Sequence, residues 1–183
     1  SDLRSASLVD RGVTPVETRK GRALLEELAR NHGLDAWKNH HNARLIYSDT
    51  WPGFVNRIAA MPWPESGQRF DHTIILGADN SRLIFQGGPR DGFAWGIQHW
   101  KTYTVSPGGE PVFEADETIK FWLPTNAYFF EAPFRLKEAT VVSYAGKAEI
   151  DDRVYDQVFL SWAAAGPQDD IDQYVAYIDR KTG

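Results

Sequence analysis

Cysteine is absent from the 183-residue chain. This absence excludes disulfide bonds, thiolate metal sites and a cysteine nucleophile. Basic residues are also scarce, with 20 Lys and Arg against 25 Asp and Glu, and they form no cationic stripe. Such a stripe is what a protein uses to hold nucleic acid or anionic lipid. We therefore expect neither as a partner.

Long hydrophobic runs are missing too. No stretch approaches the roughly 20 apolar residues that span a bilayer, and Ser1-Asp2-Leu3-Arg4 lacks the apolar core of a signal peptide. Membrane association is therefore expected only through an anchor outside this sequence. The chain contains no G-x-S-x-G elbow, P-loop, G-x-G-x-x-G or HExxH motif. We predict a protein without catalytic activity, cofactor or metal.

Aromatic residues, in contrast, are plentiful: seven Trp, seven Tyr and ten Phe. Many of them fall in a proline-containing segment between strands, where such density is costly in water. They must cover apolar surface, either as a plug of the core or as a lid over a bound acyl chain. The residues predicted to line a ligand cavity or its lid are Trp95, Phe121, Trp122, Phe129, Phe130 and Phe134.

Two stretches carry helix signals. Thr14-Pro15-Val16-Glu17 has the form of a capping box with proline at the first helical position. It predicts a helix over 15–32, ended by Gly33 in the left-handed conformation and followed by a short turn through Asp35, Ala36 and Trp37. A second, short helix is predicted from Asp116 to Leu123, ended by Pro124.

Strand-like alternation begins after His41 and recurs along the chain. The predicted strands are 43–48, 70–76, 82–86, 93–98, 101–105, 140–146, 154–162 and 173–179. Turns separate them, among them a glycine-rich turn at 87–92. Their connections are too short for crossover helices, which predicts an antiparallel meander and an α+β fold. Val158 and Leu160 fall on one face of their strand and Phe159 on the other. Both faces are therefore covered, or the sheet curves around a cavity.

Two insertions interrupt the meander, Thr50–Gly67 and Pro107–Pro133. Neither is a linker of the kind that separates domains, and no internal repeat is present. Residues 1–183 are therefore predicted to form a single domain.

The order of these elements resembles the lipoprotein-localisation-factor (LolA/LolB-like) superfamily, especially uncharacterised bacterial envelope proteins of that fold. The matching pieces are a helix ending in His32-Gly33-Leu34-Asp35-Ala36-Trp37, followed by 91–96, 128–136, 144–146 and 172–179. The likeness covers most of residues 15–182.

The resemblance implies a strongly curved antiparallel sheet, a half-open barrel, wrapped around the N-terminal helix and a short lid helix. It implies a cavity for a hydrophobic small molecule or acyl chain, and a place in the periplasm or at the outer membrane. The family continues with further strands after a segment like 179–183, so the last strands are expected to be missing here.

Two other functions stay open. Seven tryptophans on an acidic, strand-rich scaffold are compatible with a carbohydrate-binding or adhesion module, in which exposed rings stack on sugars. Exposed rings favour this function, whereas burial of Trp51, Trp63 and Trp100 counts against it. An enzyme that uses His72 or His99 as a base is the third hypothesis.

Overall fold

The computed structural model describes residues 12–50, 66–165 and 172–182. The chain divides into two compact units, which we call the inserted unit (Asn39–Glu131) and the flanking unit (Ser1–Lys38 with Ala132–Gly183). The helices are α1 (Pro15–Asn31), α2 (Leu34–Lys38) and α3 (Glu117–Arg135). The strands are β1 (Asn42–Ser48), β2 (Arg69–Ile75), β3 (Ser81–Gln86), β4 (Ala94–Gln98), β5 (Lys101–Val105), β6 (Val112–Phe113), β7 (Val141–Ile150), β8 (Arg153–Ser161) and β9 (Gln173–Ile178).

The strands pair antiparallel with their neighbours in sequence, which confirms the α+β class and the meander. They form two sheets, however, where the sequence predicted one. Strands β1 to β6 make a six-stranded sheet in the inserted unit, and β7 to β9 a three-stranded sheet in the flanking unit. In the chain, α3 stands between the last strand of the first sheet and the first strand of the second. The first predicted insertion lies almost wholly outside the described residues.

Helix α1 begins where the capping box predicts. The Thr14 hydroxyl accepts a hydrogen bond from the Glu17 N–H at 3.3 Å, and the Glu17 carboxylate accepts one from the Thr14 N–H at 3.2 Å. The helix ends at Asn31, followed by Gly33 with a φ of 85°. Both ends of the helix therefore lie within one residue of the predicted ones. None of the helices in the described ranges is both long and apolar enough to cross a membrane.

The core of the flanking unit lies between α1 and the three-stranded sheet, whereas the resemblance predicted α1 and the lid helix inside one curved sheet. Its buried residues include Leu24, Leu25 and Leu28 from the helix and Val142, Val158 and Leu160 from the sheet. Phe159, on the opposite face of β8, is 2 % exposed. Apolar side chains are thus buried on both faces of β8, as its composition predicts.

Gly21 lets α1 approach β7 closely. A Cβ built on Gly21 would lie 2.8 Å from Val142 Cγ1 and 3.3 Å from the backbone nitrogen of Tyr144. Gly21→Ala is expected to lower the free energy of unfolding by about 1–2 kcal/mol, because overpacking outweighs the higher helix propensity of alanine. Urea denaturation measures this change. A variant more stable than the wild type would show that the helix propensity of alanine outweighs the steric cost of its Cβ.

As a control on the same helix, Ala23→Gly lies on the exposed side. It is expected to cost about 1 kcal/mol through propensity alone. The two reciprocal substitutions should therefore both destabilise the protein, and only a packing constraint at Gly21 produces that pattern.

One face of the six-stranded sheet carries the core of the inserted unit. Tyr47, Phe70 and Phe85 stand opposite one another across β1, β2 and β3, so their side chains share this face. Ile119 and Leu123 of α3 are fully buried against the same core. Helix α3 therefore covers this face of the sheet.

Pro124 does not end α3, and the predicted short helix is wrong. The helix continues to Arg135 through both Pro124 and Pro133. Proline removes the N–H that would donate to the Lys120 carbonyl, at a cost of about 3 kcal/mol. Burial of Ile119, Leu123 and Ala127 on the sheet side offsets this cost. The Thr125 hydroxyl also donates to the Phe121 carbonyl at 2.6 Å.

Candidate functional site

A glycine-rich turn joins β3 to β4 and forms one wall of a cleft. Gly87, Gly88 and Gly92 have φ values of 74°, 70° and 78°, in the left-handed region that other residues rarely adopt. Gly88–Arg90 form a single 3₁₀ turn with Pro89 at its second position. The Gly87 N–H donates to the Asp91 carboxylate at 2.6 Å and closes the loop. The turn predicted at 87–92 is confirmed.

The buried side-chain amide of Gln68 hydrogen-bonds to the backbone beside this turn. Its side-chain nitrogen donates to the carbonyls of Arg69 and Gln86 at 2.9 and 3.1 Å. Gln68 is only 5 % exposed. The turn is therefore a fixed part of the sheet, and side chains that project from it have a defined position.

Arg90 projects from the turn over the aromatic residues of the sheet. The carbon of its guanidinium lies 5.4 Å from the centre of the Phe85 ring and 5.5 Å from that of Trp95. Both distances fall within the roughly 6 Å range of cation–π attraction. The Phe85 and Trp95 rings meet edge to face at 5.0 Å. This packing fixes the indole of Trp95.

The cleft between these groups has a volume of about 360 Å³ and is lined by Pro89, Arg90, Phe93 and Trp95. Phe93 is 40 % exposed and Trp95 is half-buried. We call it the Trp95 cleft. An apolar wall beside one guanidinium suits an amphiphile, since the apolar body can lie on the rings while a polar head reaches Arg90.

Trp95 is the predicted ligand residue that lines this cleft, and the other five predicted residues do not. Trp122 is half-buried against the core of the inserted unit. Phe121, Phe129 and Phe130 are 60 %, 56 % and 42 % exposed on α3. The ring of Phe121 meets Trp122 edge to face at 5.3 Å. These side chains leave much aromatic surface of α3 in contact with water.

Phe134 belongs to the flanking unit and is only 9 % exposed. Its ring stacks on that of Trp37 at 4.4 Å between ring centres. Ala29 and Leu34 complete this small core. Phe134 therefore packs as a core residue.

His72, one of the two histidines considered as a base, is fully buried on β2. Its Nδ1 lies 3.3 Å from the Tyr47 hydroxyl, which in turn accepts from the Asn126 amide at 3.4 Å. Burial lowers the pKa of His72 to about 4, so the imidazole is neutral at pH 7. Burial, with a smaller contribution from the Asp49 carboxylate, raises the pKa of Tyr47. These groups hold α3 to the sheet, and His72 does not line the Trp95 cleft.

Arg90, Pro89 and Phe93 are the cleft residues that sequence reasoning missed. The predicted turn at 87–92 gave the position of Arg90 in the chain, but not the direction of its side chain. The sequence predicted Phe93 as the first residue of a strand. The one available signal was the proximity of Arg90 to Phe93 and Trp95 in the sequence.

Among the described residues, no group of three or more His, Asp and Glu is placed to hold a metal ion. Comparison of the chain with protein-family models and with curated proteins gives no match.

Proposed function

We propose that this protein binds a hydrophobic, lipid-like ligand, such as an acyl chain, in the Trp95 cleft and does not transform it chemically. The observation that carries the proposal is the cleft itself. It combines aromatic walls, a guanidinium and a volume of about 360 Å³, toward the lower end of the range for ligand pockets. It also contains a residue that the sequence assigns to ligand binding.

The affinity would come from burial of apolar surface. Each 100 Å² of apolar area that a ligand buries gains roughly 2.5 kcal/mol before the cost of association is subtracted. Arg90 adds a donor for a carboxylate or phosphate head, and this contact fixes the direction of the ligand. The rigid turn supports Arg90 because Gln68 and Asp91 hold it in place.

We further propose that the six-stranded sheet of the inserted unit is a half-open barrel of the LolA/LolB-like kind, with α3 on its concave face. The meander order of β1 to β6 and the burial of Ile119 and Leu123 against one face support this fold. The proposed place of action is the bacterial cell envelope. Its support is the resemblance in sequence.

Decanoic acid is the first probe for the Trp95 cleft. Trp95→Ala and Phe93→Ala are each expected to weaken decanoate binding at least tenfold, which corresponds to about 1.4 kcal/mol of lost contact. Arg90→Gln should weaken decanoate more than 1-decanol, because it removes the charged donor and leaves the apolar wall. Isothermal titration calorimetry measures all of these affinities.

Trp162→Ala is the matched control. Trp162 is a half-buried tryptophan of the flanking unit, and its loss should leave decanoate affinity unchanged. Circular dichroism confirms that each variant is folded. Equal binding by wild type and Trp95→Ala, or no binding by the wild type, would refute the proposed site.

A further inference from the structure

The Trp95 cleft lies near the N-terminal end of β4, and a second aromatic cleft lies past its C-terminal end. The hairpin between β4 and β5 turns through two residues, His99 and Trp100, because Gln98 pairs with Lys101. Their φ values are 49° and 62°. Positive φ at both central positions defines the type I′ turn, which favours Asn-Gly and disfavours bulky side chains. A tryptophan at this position strains the backbone locally, and such strain is typical of functional sites.

The turn presents Trp100 to solvent. The His99 N–H donates to the Asn80 side-chain oxygen at 2.8 Å, which anchors the turn to the β3 side of the sheet. Trp100 is 56 % exposed, and so is Phe113 of the short strand β6. Both rings line a cleft of about 260 Å³, which we call the Trp100 cleft. Of the three tryptophans named for sugar recognition, Trp51 and Trp63 lie outside the described residues, and Trp100 has the exposure that this function requires.

The rim of the Trp100 cleft carries charges of both signs. Its full lining is Trp100, Lys101, Thr102, Phe113, Glu114, Ala115, Asp116, Glu117 and Lys120. The Asp116 carboxylate is occupied, since it accepts hydrogen bonds from the N–H groups of Thr118 and Ile119. Lys120 lies 3.4 Å from the Glu117 carboxylate.

This rim decides which ligand fits. Lys120 pairs with Glu117, and the Asp116 carboxylate caps α3. Lys101 and Glu114 therefore leave one charge of each sign on the rim, so a ligand with a net charge gains no net attraction. A neutral polyhydroxyl compound can donate to the carboxylates and accept from the ammonium groups. Its apolar ring face can lie on the indole. A volume of about 260 Å³ is smaller than drug-sized pockets and suits a single sugar ring.

We propose that the Trp100 cleft binds a neutral carbohydrate, with the C–H face of one pyranose ring stacked on Trp100 and its hydroxyl groups bonded to Glu114 and Lys101. The site is separate from the Trp95 cleft, since the two share no lining residue. The carbohydrate proposal therefore stands whether or not the protein binds lipid.

Saturation-transfer NMR with four probes tests the proposal: the methyl glycosides of glucose, mannose and galactose, and N-acetylglucosamine. At least one probe should receive saturation at its ring C–H protons and shift the Trp100 indole N–H signal. Trp100→Ala and Phe113→Ala should weaken binding at least about tenfold. Trp100→Gly, which suits the positive φ, serves as a second variant that keeps the turn.

Tyr177→Ala removes an exposed aromatic residue of β9 and should leave sugar binding unchanged. Trp95→Ala should also leave it unchanged, which separates this site from the proposed lipid site. The proposal is overturned if no probe shifts the indole signal, if binding survives in Trp100→Gly, or if choline shifts the signal and the sugars do not.

Discussion

Acidification from pH 6.5 to pH 4 is expected to remove about 3 kcal/mol of stability through His72 alone. The imidazole is fully buried beneath α3, and burial lowers its pKa from 6.5 to about 4. Well above pH 6.5 the histidine is neutral in both the folded and the unfolded chain and contributes nothing. Between pH 6.5 and 4 the unfolded chain takes up a proton that the folded chain excludes. Stability therefore falls as the pH falls.

The contacts of His72 explain why the proton is excluded. Tyr47 is the hydrogen-bond partner of Nδ1, and Nε2 has no partner among the described residues. A protonated imidazole would need two acceptors and a counter-charge in this place. The phenol of Tyr47 supplies no negative charge, because an ordinary tyrosine is already neutral between pH 4 and 7 and burial raises the pKa of Tyr47 further.

Urea denaturation at several pH values between 7 and 4 measures the effect. His72→Asn should lose stability at pH 7 because it leaves a small void, but its stability should fall by about 3 kcal/mol less than that of the wild type over this range. Thr73→Asn alters the neighbouring position on the other face of β2 and should keep the wild-type pH profile. Parallel profiles for wild type and His72→Asn would disprove the assignment.

Replacement of Glu131 by alanine is expected to lower the free energy of unfolding by about 2–4 kcal/mol. Glu131 is a fully buried residue of α3, and its carboxylate accepts a hydrogen bond from the Gly77 N–H at 2.7 Å. Gly77 lies in the turn between β2 and β3 with a φ of 71°. Alanine would leave this N–H without its acceptor and a cavity beside it.

Glu131→Gln separates the hydrogen bond from the buried volume. Its amide oxygen can still accept from Gly77, so the expected loss is only about 1 kcal/mol. Hydrogen exchange at the Gly77 amide should be fast in the alanine variant and slow in the glutamine variant. Glu110→Ala, which removes an exposed glutamate, is the control for loss of one negative charge. A protected Gly77 amide in Glu131→Ala would contradict the proposed contact.

The parts of the fold that follow from local chemistry could be predicted from the sequence. Thr14 and Glu17 specify the start of α1 by hydrogen bonds within four residues, and alternation along 101–105 specifies β5. The length of α3 could not be predicted this way. Pro124 is a helix breaker by local rules, and burial of Leu123 and Ala127 against the sheet overrides those rules.

The candidate sites likewise depend on tertiary contacts that local sequence patterns do not reveal. The aromatic composition indicated Trp95, but the cleft beside it depends on where the glycine turn points Arg90. Phe113 comes near Trp100 because the two-residue strand β6 pairs with β5, a contact too short for a periodic pattern to reveal. Exposure of Phe121 and Phe129 depends on how far α3 continues past Pro124, so it too could not be predicted.

The flanking unit is built from two stretches of chain with the inserted unit between them, and this order affects synthesis on the ribosome. Arg22 of α1 donates to the carbonyl of Ala139, 117 residues later. At bacterial and eukaryotic elongation rates, roughly 6–24 seconds separate the emergence of these two residues. During this interval the apolar side of α1, with Leu24, Leu25 and Leu28, has no sheet to cover it. The apolar side of α1 therefore stays without its native cover until β7 and β8 have emerged.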